Sequence, residues 1–136
     1  MVKRDDEGSV LLLAIGYALL AIAVIFVCVC ATDLYIAQKR LDSLADSAAL
    51  AGADGFVFVV DGAGARLELT DEGVLEQAEA LLAALPGSAS IVRAETPDGV
   101  SARVAVAGVW HPPLVSVFVP DGVALEATGI SRTALQ

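Results

Sequence analysis

Hydrophobic and polar positions change their pattern as the chain advances. Twenty-five residues from Gly8 to Thr32 carry no charge, bounded by Glu7 and Asp33. As a helix rising about 1.5 Å per residue, this run spans roughly 37 Å and can cross a hydrocarbon core of about 30 Å with some tilt. Helix-forming residues continue from Asp33 to about Ala53, and no proline precedes Pro86. In this second stretch Leu34, Ala37, Leu41, Leu44, Ala48 and Ala51 are spaced three and four apart. That is a heptad-like packing seam, and Lys39, Arg40, Asp42 and Asp46 avoid it. The pattern predicts one helix, half in lipid and half outside it, stopped at Gly52-Ala-Asp-Gly55 where glycine can supply the cap. Alanine at half of the seam positions buries little area, so the seam needs cover from the chain's own domain or from neighbouring helices.

Beyond the helix the period shortens. Phe56 to Val60 and Arg66 to Thr70 read as two strands around an Asp61-Gly-Ala-Gly-Ala turn. From Asp71 to Leu85 the apolar residues Val74, Leu75, Ala78, Leu81, Leu82 and Leu85 fall on one helical face, with Thr70 or Asp71 to cap the start and Pro86-Gly87 to end it. Two Pro-Asp-Gly turns follow. The first joins Ile91–Thr96 to Val100–Val109, and the second joins Leu114–Val119 to Val123–Thr128, so both predict hairpins. Val100, Ala102, Val104 and Val106 share one face of their strand, as do Val123, Leu125 and Ala127 of theirs. An antiparallel sheet covered on one face by helix accounts for both patterns.

The segment around Trp110 and Leu114, Val115, Val117, Phe118 and Val119 is apolar on both faces and carries no charge. As a central strand it is core. As an edge hairpin it is a subunit-contact surface or lies at the membrane boundary.

Charge then narrows the partners. The chain has a net charge of −9, and from Asp33 onward 14 acidic residues face six basic ones. An acidic domain with few aromatics does not suit nucleic acid, which requires Lys and Arg to displace phosphate counterions. Cys28 and Cys30 are the only cysteines and both sit in the apolar run, where they read as small apolar filler. Val27 and Val29 before them do not provide the small residue of a lipidation site. Cleavage by a signal peptidase before Thr32 is the competing reading of the run, since Val29 and Ala31 fit a small-residue rule. Against it stand a run far longer than the roughly 7–15 residues of a signal core and a net acidic Lys3–Glu7. Lys3 and Arg4 flank one end, Lys39 and Arg40 the other, and the reading favoured here places the amino terminus inside.

No catalytic, cofactor-binding or metal-ligating set emerges. His111 is the single histidine and no cysteine lies outside the run to join it in a zinc site. The sequence lacks a Gly-x-Ser-x-Gly elbow, and Gly62-Ala-Gly64 lacks the later glycine and the Lys of a phosphate loop. Asp54, Asp61, Asp98 and Asp121 each precede glycine, as turns require. A small-molecule substrate therefore has no residues to receive it.

Ala45-Asp-Ser-Ala-Ala-Leu-Ala-Gly-Ala53, preceded by Asp33–Leu44, the apolar run and Gly8-Ser9, resembles the amino-terminal region of TadE- and TadG-like proteins of bacterial Tad (Flp) pilus systems. The resemblance covers about Arg4 to Ala53. It implies a pseudopilin-like or minor pilin-like component, held in the cell membrane by its helix with the domain on the extracytoplasmic side. It also implies other pilin-like or Tad assembly subunits as partners. Prepilin peptidase cleavage in TadE-like members follows a Gly, with Glu at the fifth position after the cut; here the bond is Gly8–Ser9 and the fifth residue is Leu13. The metal-dependent adhesion domain of larger TadG-like members has no counterpart in this sequence.

The expected architecture is α+β and pilin-like: a long amino-terminal transmembrane helix extending into a small antiparallel-sheet domain with one packed helix. Its parts are a charged segment at 1–7, the membrane part of the helix at 8–32, the rest of that helix at 33–53, and the exported domain at 54–136. The expected role is a non-enzymatic structural component of a pilus assembly or secretion system. The alternative is a released or anchored binding module unrelated to pili.

Overall fold

A computed structural model describes the backbone of residues 3–132 and the side chains of residues 7–132. The side chains of Lys3, Arg4, Asp5 and Asp6, which give the amino-terminal segment its charge, lie outside the described residues, as do Met1 and Val2. The elements run α1 (Lys3–Gly52), β1 (Phe56–Asp61), β2 (Gly64–Leu69), α2 (Asp71–Ala84), β3 (Ser90–Glu95), β4 (Ser101–Trp110) and β5 (Val123–Arg132). The class is α+β, with α1 an unbroken 50-residue helix.

β3, β4 and β5 form an antiparallel sheet with β4 in the centre, and β1 and β2 pair separately as a hairpin. Both helices lie on one face of the larger sheet, α1 across β4 and β5 and α2 across β3. The direction of each strand follows from its contacts with α1. Ala102 meets Gly52 and Gly108 meets Leu41, so β4 descends as α1 rises. β5 ascends beside the helix: the Glu126 carbonyl accepts a bond from Gln38 Nε2 at 3.1 Å, and Gly129 lies against Ala45. The rises agree, since three strand residues and seven helix residues each cover about 10 Å.

The core is built from small residues on the helix side and valines on the sheet side. Leu41, Ala45, Ala48 and Ala49 of α1 are buried against Ala102, Val104, Val106 and Ala127, with Ala53 of the turn after α1, Val74 and Ala78 of α2 and Leu69 completing it. The expected alternation holds at Ala102, Val104 and Val106 and at Leu125 and Ala127, but Val100 precedes β4 and is exposed, Val123 is exposed at the foot of β5, and Ser101 and Ala105 of the other face of β4 are buried too. Gly129 shows how closely the layers meet: a Cβ there would fall on the backbone of Ala45 and Asp46. Gly55 and Gly73 likewise bring the α1–β1 turn and the first turn of α2 into backbone contact that neither position could keep with a side chain. Thr70 caps α2, its hydroxyl accepting from Gly73 N–H at 3.1 Å.

The second Pro-Asp-Gly hairpin does not form. Leu114–Val119 is a succession of turns rather than a strand, with Leu114 at φ 68° and the Val115 carbonyl accepting from the Phe118 and Val119 amides. Pro112 and Pro113 end β4 by removing two successive donors. β5 then pairs along the whole length of β4, from Trp110↔Val123 to Ser101↔Arg132. Both edges of β4 are thereby occupied, and residues 111–122 become a connection. Pro120-Asp121-Gly122 remains a turn with Gly122 at φ 69°, but it returns the chain to the foot of β5.

Candidate membrane and assembly surfaces

α1 changes its surroundings midway. From Val10 to Val29 its large apolar side chains other than the half-buried Phe26 are between 47 and 73 % exposed, while Leu41, Ala45, Ala48 and Ala49 in the core are buried. The helix is long and apolar enough to cross a membrane, and none of its most apolar window is covered by protein. An uncovered cylinder of Leu, Ile and Val is costly in water and suited to lipid.

The boundary between these surroundings is marked by two contacts. Trp110 Nε1 donates to Asp33 Oδ2 at 2.7 Å, joining the lower end of β4 to the first charged residue beyond the apolar run. Cys30 Sγ lies 4.0 Å from the Pro113 carbonyl oxygen, so the connection leaving β4 reaches down alongside the run itself. Within that connection Leu114, Val117 and Phe118 are 80–84 % exposed, and Val115 and Val119 are half-buried.

The seam positions are divided among different surroundings. Leu41 and Ala48 are buried in the chain's own core, and Leu34, Ala37, Leu44 and Ala51 are half-buried. Ala37 and Leu44 help floor an open groove of about 340 Å³, walled by Ala89, Gly108, Trp110 and Leu125. Gly8 and Ser9 both lie within α1 and are exposed, and no atom stands within 4 Å of where a Gly8 Cβ would be.

At the other end of the domain the β1–β2 hairpin presents a second apolar face. Phe56 and Leu69, directly opposite one another, pack into the core. Phe58 opposite Leu67 and Val60 opposite Ala65 carry the same face outward, with Phe58 and Val60 75 and 78 % exposed. One backbone bond, from Leu69 N–H to the Gly99 carbonyl at 3.0 Å, hooks this hairpin to the first Pro-Asp-Gly turn.

That turn holds the one carboxylate among the described residues whose titration is shifted. Asp98 accepts from the Ser101 amide at 2.6 Å, the Val100 amide at 3.0 Å and the Ser101 hydroxyl at 2.8 Å. These bonds, the Ser101 backbone bond foremost, hold it below the ordinary carboxylate range. This is a turn lock. Among the described residues no cluster of three His, Cys, Asp or Glu side chains is placed to hold a metal ion.

Sequence reasoning missed Asp33 as a partner for Trp110, and Ala45, Ala49 and Gly52 as the helix face that meets the sheet. The second was visible as small residues three and four apart. The first carried no local signal, because its partner lies 77 residues away.

No characterised protein and no solved structure matches this chain. The part that holds the apolar run, the Asp33 anchor point and the helix side of the core does match a family: residues 8–55 fit the one described as putative Flp pilus-assembly TadE/G-like.

Proposed function

We propose that this protein is a non-enzymatic, membrane-anchored, pseudopilin-like or minor pilin-like component of a Tad-type pilus assembly or secretion system. Its single-pass helix anchors it in the cell membrane, and its acidic α+β domain works on the extracytoplasmic side among other assembly subunits. The observation that carries this reading is the continuity of α1. One helix supplies both an uncovered apolar run and the spine of the domain, and the family match spans the junction. Helix and domain then move as one body, which suits a subunit that is inserted in a membrane and handed to neighbours. The seam residues Leu34, Ala37, Leu44 and Ala51, half-buried beside the domain, would add neighbouring helices to that packing. The exposed Gly8–Ser9 bond is the candidate for prepilin-type processing.

Cleavage before Thr32 is the competing reading, and one observation favours it. Every buried core residue lies beyond Thr32, so the released piece would keep its core. Intact mass of the protein from cell membranes and from the medium separates the two. A membrane-bound chain, either unprocessed or beginning at Ser9, is the expected result. A chain beginning at Thr32 in the medium would remove the anchor and with it the pilus reading. A photo-crosslinker at Leu50, exposed on the outer face of α1, should capture other subunits of the apparatus.

A further inference from the structure

The connection between β4 and β5 carries an apolar tip that nothing in the chain covers, and its height relative to α1 identifies what does. Trp110 is held to Asp33, at the end of the apolar run. Three residues later Pro113 is beside Cys30, about 4.5 Å further down the helix and inside that run. The chain therefore descends toward the membrane centre as it leaves the sheet. From Pro112 to Pro120 it carries no charge, and Leu114, Val117 and Phe118 project with 80, 84 and 84 % of their surfaces free. The nearest ionisable groups in the connection, His111 and Asp121, adjoin the strand ends, where Trp110 pairs with Val123.

We propose that residues 113–119 are a second membrane contact, in which Leu114, Val117 and Phe118 enter the same bilayer that α1 crosses. This rests on the reading of α1 as a membrane span. Lipid is chosen over a protein partner because the tip sits at the depth of the apolar run and is continuous with its surface. Trp110 and the exposed Tyr35 then lie at headgroup level, where Trp and Tyr gather. The amides of Phe118 and Val119 already bond within the turn, which lowers the cost of taking this backbone out of water. An uncharged tip on an acidic domain gives this contact no dependence on anionic lipid.

The test uses the full chain in vesicles of phosphatidylcholine brominated on its acyl chains. Trp110 is the only tryptophan and its bond to Asp33 sets the height of the tip, so it is kept, and the wild-type chain gives the baseline to which each variant adds one reporter. Three variants carry Tyr17→Trp in the run, Phe118→Trp at the tip, or Phe58→Trp on the distal hairpin. Expected is loss of most of the added emission for Tyr17→Trp and Phe118→Trp relative to unbrominated vesicles, and none of it for Phe58→Trp. Quenching at position 17 without quenching at 118 overturns the second contact and leaves the span standing. A blue-shifted but unquenched reporter at 118 overturns it in favour of cover by protein. Absence of quenching at both positions overturns the span as well.

Discussion

From Val10 to Val29 the exposed side chains of α1 are mostly leucine, isoleucine and valine, whereas from Leu41 to Ala49 its buried ones are a single leucine and alanines. Both halves are apolar, and both belong to the same helix. Lipid, the surroundings proposed for the lower half, adapts to any shape, so large side chains there would cost nothing and add hydrophobic area. A β-sheet is a fixed surface, and the upper half meets it at glycine and alanine because only small residues let the two backbones approach. Apolar character decides what leaves water. Side-chain size decides whether the neighbour is fluid or folded.

The sharpest way to break this comparison is to add bulk at matched positions of the two halves. Gly129→Val puts a branched side chain onto the α1 backbone at Ala45 and is expected to cost about 3 kcal/mol or more, read as a lowered denaturation midpoint of the domain. Gly16→Val in the apolar run, where nothing stands within 4 Å, should leave that midpoint unchanged. Next in size, Ala48→Leu should destabilise by about 1–3 kcal/mol through overpacking, while Ala21→Leu leaves stability alone and keeps the protein in membranes. Equal effects from Ala48→Leu and Ala21→Leu would mean that the halves do not differ in the way described.

Two smaller changes act on the domain without touching α1. Thr70→Ala removes the cap of α2 and should cost about 1 kcal/mol in thermal or urea melts, with membrane partition unchanged. Asp98→Ala has the smallest effect and a pH signature. The folded carboxyl is held below its ordinary range, so the unfolded chain takes up the proton first as pH falls. The contribution of Asp98 is therefore present at neutral pH and lost as the pH drops through the folded value. Wild type should exceed Asp98→Ala in stability at neutral pH and converge on it in acid, as melts across that range would record.

Much of this was legible in the chain because the deciding signals are local. A charge-free run, the face of Val74, Ala78 and Leu82, and alternation from Ala102 to Val106 each depend on a period within one element. Two features were not. A heptad seam from Leu34 to Ala51 drifts around a straight helix by about 20° per seven residues, so its far end turns away from the face that packs. Which face packs was decided by the partner strand, at Gly108 and Gly129. Leu114–Val119 has the composition of a buried strand, and nothing within it says otherwise. The outcome depended on Pro112-Pro113 and on β5 pairing along all of β4, which is a register between distant segments. The membrane side of the domain was unreadable for the same reason, since it rests on contacts such as Asp33 with Trp110.

Those contacts also make the molecule a lever. The sheet is fastened to α1 near its top, where Ala102 meets Gly52, and at its foot, where Trp110 holds Asp33, with no hinge in the helix between. In the proposed membrane span, the domain would therefore inherit whatever angle the helix takes in the bilayer. Gly52 stands about 30 Å above Thr32 along the axis, so a tilt of about 20° carries the top of the domain sideways by roughly 10 Å. A change in bilayer thickness, felt only by the lower, apolar half in the proposed span, would thus be read out as displacement of the distal hairpin with Phe58 and Val60 at its tip.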